Sequence, residues 1–188
     1  MIVSTSEFRK GLRIIVDNEP FVIVDFQHVK PGKGGAFVRT RVKSLVTGNV
    51  LERTYRSGDK AEVPEVEEKD MQFLYKDGEK YNFMDTSTYD QLHINEENLG
   101  DSKNYMKEGL VAKVAFYQGK TIGVEVQNFV NLLVAQTEPG MKGDTAQNAT
   151  KPAMLETGYT IQVPLFVEEG DMVRIDTRTG QYLERASK

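Results

Sequence analysis

The apolar residues of this chain come in short runs, several alternating with a period of two, and a turn signal closes each run within a few residues. The clearest alternation sets Val38, Thr40 and Val42 on one face against Arg39, Arg41 and Lys43 on the other. Successive strand side chains point to opposite faces, so this stretch reads as a half-buried strand with a cationic outer face. No stretch of a dozen residues or more carries the spacing of an amphipathic helix. That rhythm restricts the fold to small all-β units.

Three such units are expected. In residues 1–64, an entry segment with Ser4, Ser6 and Phe8 leads into a strand over 11–16, closed by Asp17-Asn18-Glu19-Pro20. Strands over 21–29, 37–46 and 50–55 follow, and many short strands in so few residues predict an SH3/KOW-like barrel. The polar segment 57–69 is either a solvated connector or a charged edge strand. In residues 65–127, strands over 71–75 and 81–84 flank Asp77-Gly78, a strong hairpin signal. Residues 89–94 add a strand or bend, 96–100 a short helix or turn ending at Gly100, and 111–117 and 121–126 two more strands. Five strands with an interposed helical turn predict an OB-fold. Residues 128–188 repeat the scheme loosely, with strands over 129–135, 159–164, 173–176 and 182–184 and a loop over 137–151.

Between the second and third strands lies Val29-Lys30-Pro31-Gly32-Lys33-Gly34-Gly35. Proline presets φ and glycine accepts positive φ, so Lys30-Pro31-Gly32-Lys33 suits a type II turn. Gly34 and Gly35 leave the following backbone little constrained. The expected product is a hairpin tip bare of bulk except for the long cation Lys33.

Composition narrows the function classes. With 39% hydrophobic and 28% charged residues, the 188-residue chain is globular rather than disordered. It has no cysteine, and its two histidines, His28 and His93, are too few for a zinc site, so no metal or cofactor is expected. No signal region or membrane-length apolar run is evident, which predicts a cytoplasmic protein with no membrane partner. Net charge is −4, but residues 1–64 hold 11 Lys/Arg against 7 Asp/Glu, whereas residues 65–127 hold 7 against 13 and residues 128–188 hold 6 against 8. The basic charge is on the module with the lysine tip. That distribution suits a protein meeting a polyanion locally.

Catalysis finds little support. Gly32-Lys33-Gly34-Gly35 lacks the Ser/Thr and the following helix of a nucleotide-binding phosphate loop. No nucleophile motif accompanies the histidines, His28 reads as a strand residue, and the carboxylates form no recognisable pair. Phe73 and Tyr75, with Tyr81 and Phe83, read as barrel interior in preference to a base-stacking platform. Arg39, Arg41 and Lys43 read as a solvated face or, because that face leads to the tip, as RNA phosphate contacts.

The tip over 29–34 resembles the modified-lysine loop of bacterial elongation factor P. Lys151-Pro152-Ala153, Gly158, Ile161, Val163-Pro164, Val167 and Gly170 are similar in spacing to that family's C-terminal signature, and Gly143-Asp144-Thr145 resembles its last-domain loop. The resemblance spans the whole chain. It implies three barrels, KOW-like then OB and OB, in an L-shaped, tRNA-like arrangement. It also implies a monomeric, non-enzymatic factor that binds the ribosome between the P and E sites and helps peptide bonds form at consecutive prolines. By position, Lys33 would contact the CCA end of peptidyl-tRNA and be extended by a lysine-modifying enzyme, with Lys30, Pro31, Gly32, Gly34 and Gly35 supporting it. Gly143, Asp144 and Thr145 would lie near the E-site mRNA codon, with Tyr182 and Arg185 as further RNA contacts. The rival readings are a general ribosome- or RNA-binding SH3–OB protein, an unmodified paralogue, and a Schiff-base enzyme using Lys33.

Overall fold

The computed structural model describes residues 1–140 and 149–186. Its strands begin with β1 (Ile2–Ser4), β2 (Arg13–Val16), β3 (Glu19–Val29), β4 (Phe37–Ser44) and β5 (Val50–Arg56). Next come β6 (Lys60–Glu62), β7 (Glu67–Asp77), β8 (Lys80–Asp85) and β9 (Gln91–Asn95), then one helical turn, α1 (Glu96–Leu99). The chain continues as β10 (Val111–Tyr117), β11 (Lys120–Glu125), β12 (Phe129–Thr137) and β13 (Thr150–Leu155). It closes with β14 (Thr160–Pro164), β15 (Met172–Asp176) and β16 (Gln181–Arg185). Apart from α1, the only helix among the described residues is two 3-10 turns, Thr5–Glu7 and Gly100–Tyr105. The chain is all-β, as its rhythm requires.

The sheets run β2-β3-β4-β5, β1-β6, β11-β10-β7-β8-β9 and β14-β13-β12-β15-β16. Numbered within their own five strands, the last two both read 3-2-1-4-5, the Greek-key order of an OB-fold. By contacts the chain divides into two compact units, residues 1–68 with 115–123 and residues 69–114 with 124–188.

In the first unit, β2 and β3 join through Asp17 and Asn18, both at positive φ (50° and 67°) as a tight hairpin turn needs. The core gathers Phe8, Ile14, Ile23, Val38 and Val42. Burying each such side chain contributes about 1.5–3 kcal/mol. Val38, Thr40 and Val42 all point inward, as their alternation predicts. The buried Thr40 hydroxyl donates to the Arg53 carbonyl at 2.8 Å, so it leaves no unpaired polar group. The polar segment after 57 is partly an edge strand, since β6 pairs with β1.

In the second unit, Phe73, Tyr81 and Phe83 are buried, with ring centroids 5.5 and 5.6 Å from Phe73. Tyr75 departs from the expectation. A register shift between Phe73 and Tyr75 turns it to the solvent side, where it is 56% exposed. The helical segment also runs past Gly100. It delivers Tyr105 into the core formed by β12 to β16, edge-on to Tyr159 at 5.7 Å. Burial pushes the Tyr105 hydroxyl pKa up to about 12. Nearby, Thr157 Oγ1 donates to the Asn104 carbonyl at 2.7 Å and Lys107 lies 3.6 Å from Glu156. Part of the expected 137–151 loop is strand, because β13 starts at Thr150 and pairs with both β12 and β14.

Candidate functional site

β3 and β4 form the longest hairpin of the first unit, pairing from Phe21↔Ser44 to Val29↔Phe37. A bulge at Val24, between the pairs Ile23↔Val42 and Asp25↔Arg41, adds twist partway along. At the far end, Ser57 N donates to the Ala36 carbonyl at 2.9 Å and ties the base of the loop to the chain leaving β5.

The loop is open rather than hydrogen-bonded. Lys30, Pro31, Gly32, Lys33, Gly34 and Gly35 are all exposed, and residues 32–34 form a bend. The expected type II turn is not formed. Gly32 does not take positive φ, and no Lys33 N to Lys30 carbonyl bond closes the turn. The left-handed residue is Gly34, at φ 103°, placed so that a Cβ there would lie 4.0 Å from the Pro31 ring. The chain therefore turns one residue after the lysine, and Lys33 sits on the approach to the bend. Neither Gly32 nor Gly35 has any atom within 4 Å of where a Cβ would stand.

Arg39, Arg41 and Lys43 all lie exposed on β4 beyond this tip. Their surroundings differ. Arg41 lies across from Asp25 on β3 and Glu52 on β5, so carboxylates flank it. Asp25 itself bonds Lys10 at 3.1 Å, and mainly that ammonium, with a small part from Arg41, holds its carboxyl below the usual range. Arg39 lies between Gln27 and Thr54, and Lys43 between Val22 and Val50, so neither faces a carboxylate across the sheet. His28 is an exposed strand residue edge-on to Phe26 at 5.7 Å.

The remaining predicted residues lie in the other unit. Tyr182 is half-buried against the β12–β16 core, and burial raises its hydroxyl pKa. Arg185 reaches Asp171 at 3.5 Å and lies over the Phe166 ring at 5.7 Å. Gly143, Asp144 and Thr145 lie outside the described residues. Two features escaped the sequence reading. Arg174 and Arg178 both lie over Phe129, at 5.0 and 5.4 Å, and Tyr89 stands 71% exposed at positive φ. Spacing could have hinted at the first, since Arg174 pairs with Asn131 near the start of β12. Nothing in a Thr-Tyr-Asp triplet signals the second.

Among the described residues no group of three His, Cys, Asp or Glu could hold a metal ion, and no helix is long and apolar enough to cross a membrane.

Fold and site together define a class: KOW- and OB-type barrels strung in one chain, the first bearing a lysine-tipped hairpin. Comparison with known proteins agrees. Residues 4–61 match the elongation factor P (EF-P) KOW-like domain, residues 66–124 the elongation factor P (EF-P) OB domain, and residues 130–185 elongation factor P, C-terminal. The chain is 54% identical over 184 residues to elongation factor P of Bdellovibrio bacteriovorus, covering 98% of both chains. It is 55% identical over 185 residues to that of Moorella thermoacetica, covering 98% of this chain and all of the other. A solved structure of eukaryotic translation initiation factor 5A from Methanococcus jannaschii shares the fold, with a TM-score of 0.54 at 23% identity, over 68% of this chain and 92% of that one. The chain belongs to the elongation factor P family.

Proposed function

We propose that this chain is a translation elongation factor that binds the ribosome between the P and E sites and promotes peptide bond formation at consecutive prolines. The observation that carries the reading is the bare cation at the hairpin tip. Lys33 stands on an exposed loop with Gly32 before it and Gly34 and Gly35 after it, on the module with the most basic charge. A long cation on such an arm suits a narrow, phosphate-lined approach to the CCA end of peptidyl-tRNA.

Proline is a rigid, poor nucleophile, and a peptidyl-tRNA that drifts loses the advantage of near-attack geometry. A cationic arm that steadies the CCA backbone recovers part of it while the ribosome remains the catalyst. The chain itself needs no catalytic residue for this. Extension of Lys33 by a lysine-modifying enzyme would lengthen the arm, and the open space around Gly32 and Gly35 leaves that enzyme an approach. Arg39 and Lys43, with Arg41, would hold tRNA phosphates behind the tip. Gly143, Asp144 and Thr145 would lie near the E-site codon, with Tyr182 and Arg185 as further RNA contacts, the chain acting as a monomer of three barrels over 1–64, 65–127 and 128–188.

The test is reconstituted translation of messages with and without a run of prolines. Lys33→Ala is expected to fold normally and bind ribosomes, yet lose the rescue of proline runs. Full rescue by that variant would overturn the reading. A wild-type effect independent of proline would favour a general ribosome-binding protein.

A further inference from the structure

Among the described residues, Tyr89 is the only aromatic held in the left-handed region, at φ 64°. The other non-glycine positions described there, Asp17, Asn18 and Gln118, carry polar side chains suited to turns. An aromatic residue at that φ crowds its Cβ against the backbone, a strain that glycine would remove. Interior packing does not offset it, since at 71% exposure Tyr89 is the most exposed aromatic side chain described.

The loop that presents it is firmly built. The buried Asp85 carboxylate accepts from Ser87 N at 2.8 Å and Thr88 N at 3.2 Å. Tyr89 N donates to the Asp85 carbonyl, and Asp85 N to the Asp90 carbonyl, both at 2.9 Å. Thr86 donates through its backbone N and its hydroxyl to the Asp70 carbonyl, at 3.2 and 3.0 Å. Strain that surrounding bonds hold in place, on a residue the interior does not use, is characteristic of a contact made outside the chain.

The surroundings define what that contact is. Asp70 and Asp90 are exposed and bracket the loop, and residues 65–127 carry 13 Asp/Glu against 7 Lys/Arg. Lys69, 3.9 Å from Asp85, is outnumbered beside the loop by Asp70, Asp85 and Asp90, so a phosphate backbone meets net repulsion there. A guanidinium or ammonium group finds an exposed ring and, on the next residue, the exposed carboxylate of Asp90.

We infer that Tyr89 is a docking residue for an arginine- or lysine-bearing protein surface within the ribosomal assembly. The inference rests on the proposed function, which brings the chain to the ribosome. The opposite charges of residues 1–64 and 65–127 then have separate uses: the first meets RNA and the second meets protein.

The test uses the full chain and purified ribosomes. Tyr89→Gly is expected to melt at or above the wild-type temperature, because it relieves strain, and to bind ribosomes about tenfold more weakly. Tyr89→Phe keeps the ring face and should bind within about threefold of wild type. A benzophenone amino acid placed at position 89 should crosslink to a ribosomal protein on irradiation. Wild-type affinity in Tyr89→Gly, a crosslink to RNA, or no crosslink from a bound variant would each overturn the inference. Failure of the wild-type chain itself to bind ribosomes would bring down the proposed function and this inference together, a result distinct from the other three.

Discussion

Asp85 shows how much one carboxylate can organise. Hydrogen bonds from the backbone N–H groups of Ser87 and then Thr88 hold its pKa below the ordinary 3.8, with Lys69 at 3.9 Å adding to the effect. A native pKa below the unfolded one stabilises the fold fully above the unfolded value, and the contribution is lost as pH falls through the native value. Stability measured by denaturant from pH 6 to pH 2 should therefore fall less steeply for Asp85→Asn than for wild type. Equal slopes would show that the carboxylate contributes nothing. The tip glycines separate at the same scale. Gly34→Ala forces a Cβ onto φ 103° and should cost more than about 1 kcal/mol, whereas Gly32→Ala, in open space at an ordinary φ, should stay within about 0.5 kcal/mol. Thermal denaturation of the two variants checks this. If both fold well but Gly32→Ala fails in proline rescue, glycine at 32 serves whatever docks on the loop and not the loop itself.

The elements differ in how plainly the sequence announced them. β4 was legible over Phe37–Ser44, because an alternation with arginine and lysine on one face leaves no other arrangement, but it stops two residues short of the expected end, where Ser44 Oγ accepts from Val46 N and Thr47 N. β1 was not, because three residues carry no periodicity and their partner β6 lies some 60 positions on. β13 was hidden by its own inward face, where Lys151 sits with Ala153 and Leu155 and breaks the apolar pattern. The buried ammonium is satisfied by the Glu138 carbonyl at 2.6 Å, a partner no local rule supplies. The lysine tip was legible from Pro and Gly, but the bend fell at Gly34 and not Gly32, since glycine permits positive φ without requiring it. The outer face of β4 carries its own prediction. Arg41 faces carboxylates whereas Arg39 and Lys43 do not, so Arg39→Ala with Lys43→Ala should weaken ribosome binding and lower its log–log salt slope by about 2. Arg41→Ala should change the slope less. A slope unchanged in the double variant would remove this face from the RNA contact.

For the whole molecule, the contacts of Tyr105 bind two barrels into one unit. It leaves the second barrel's helical turn, enters the third barrel's core, and stands near Gly180, where an added Cβ would meet the Tyr105 hydroxyl at 3.4 Å. Tyr105→Ala should cost about 3–5 kcal/mol and split the joint unfolding transition of residues 69–114 and 124–188 into two. A single transition in calorimetry would show that the barrels stay coupled without it. The shared 3-2-1-4-5 strand order has a further consequence, for the order in which the chain is synthesised. In each OB barrel the first strand made ends up in the middle of the sheet. β12 can pair with β13 early, but its other edge stays open until β15, at Met172–Asp176, has been made. A nascent chain halted between these strands exposes a long, half-apolar edge to any passing strand. Slow synthesis over that interval is therefore a hazard for the chain's own folding. On the proposed function, a protein that relieves stalling elsewhere needs uninterrupted translation of its own last barrel.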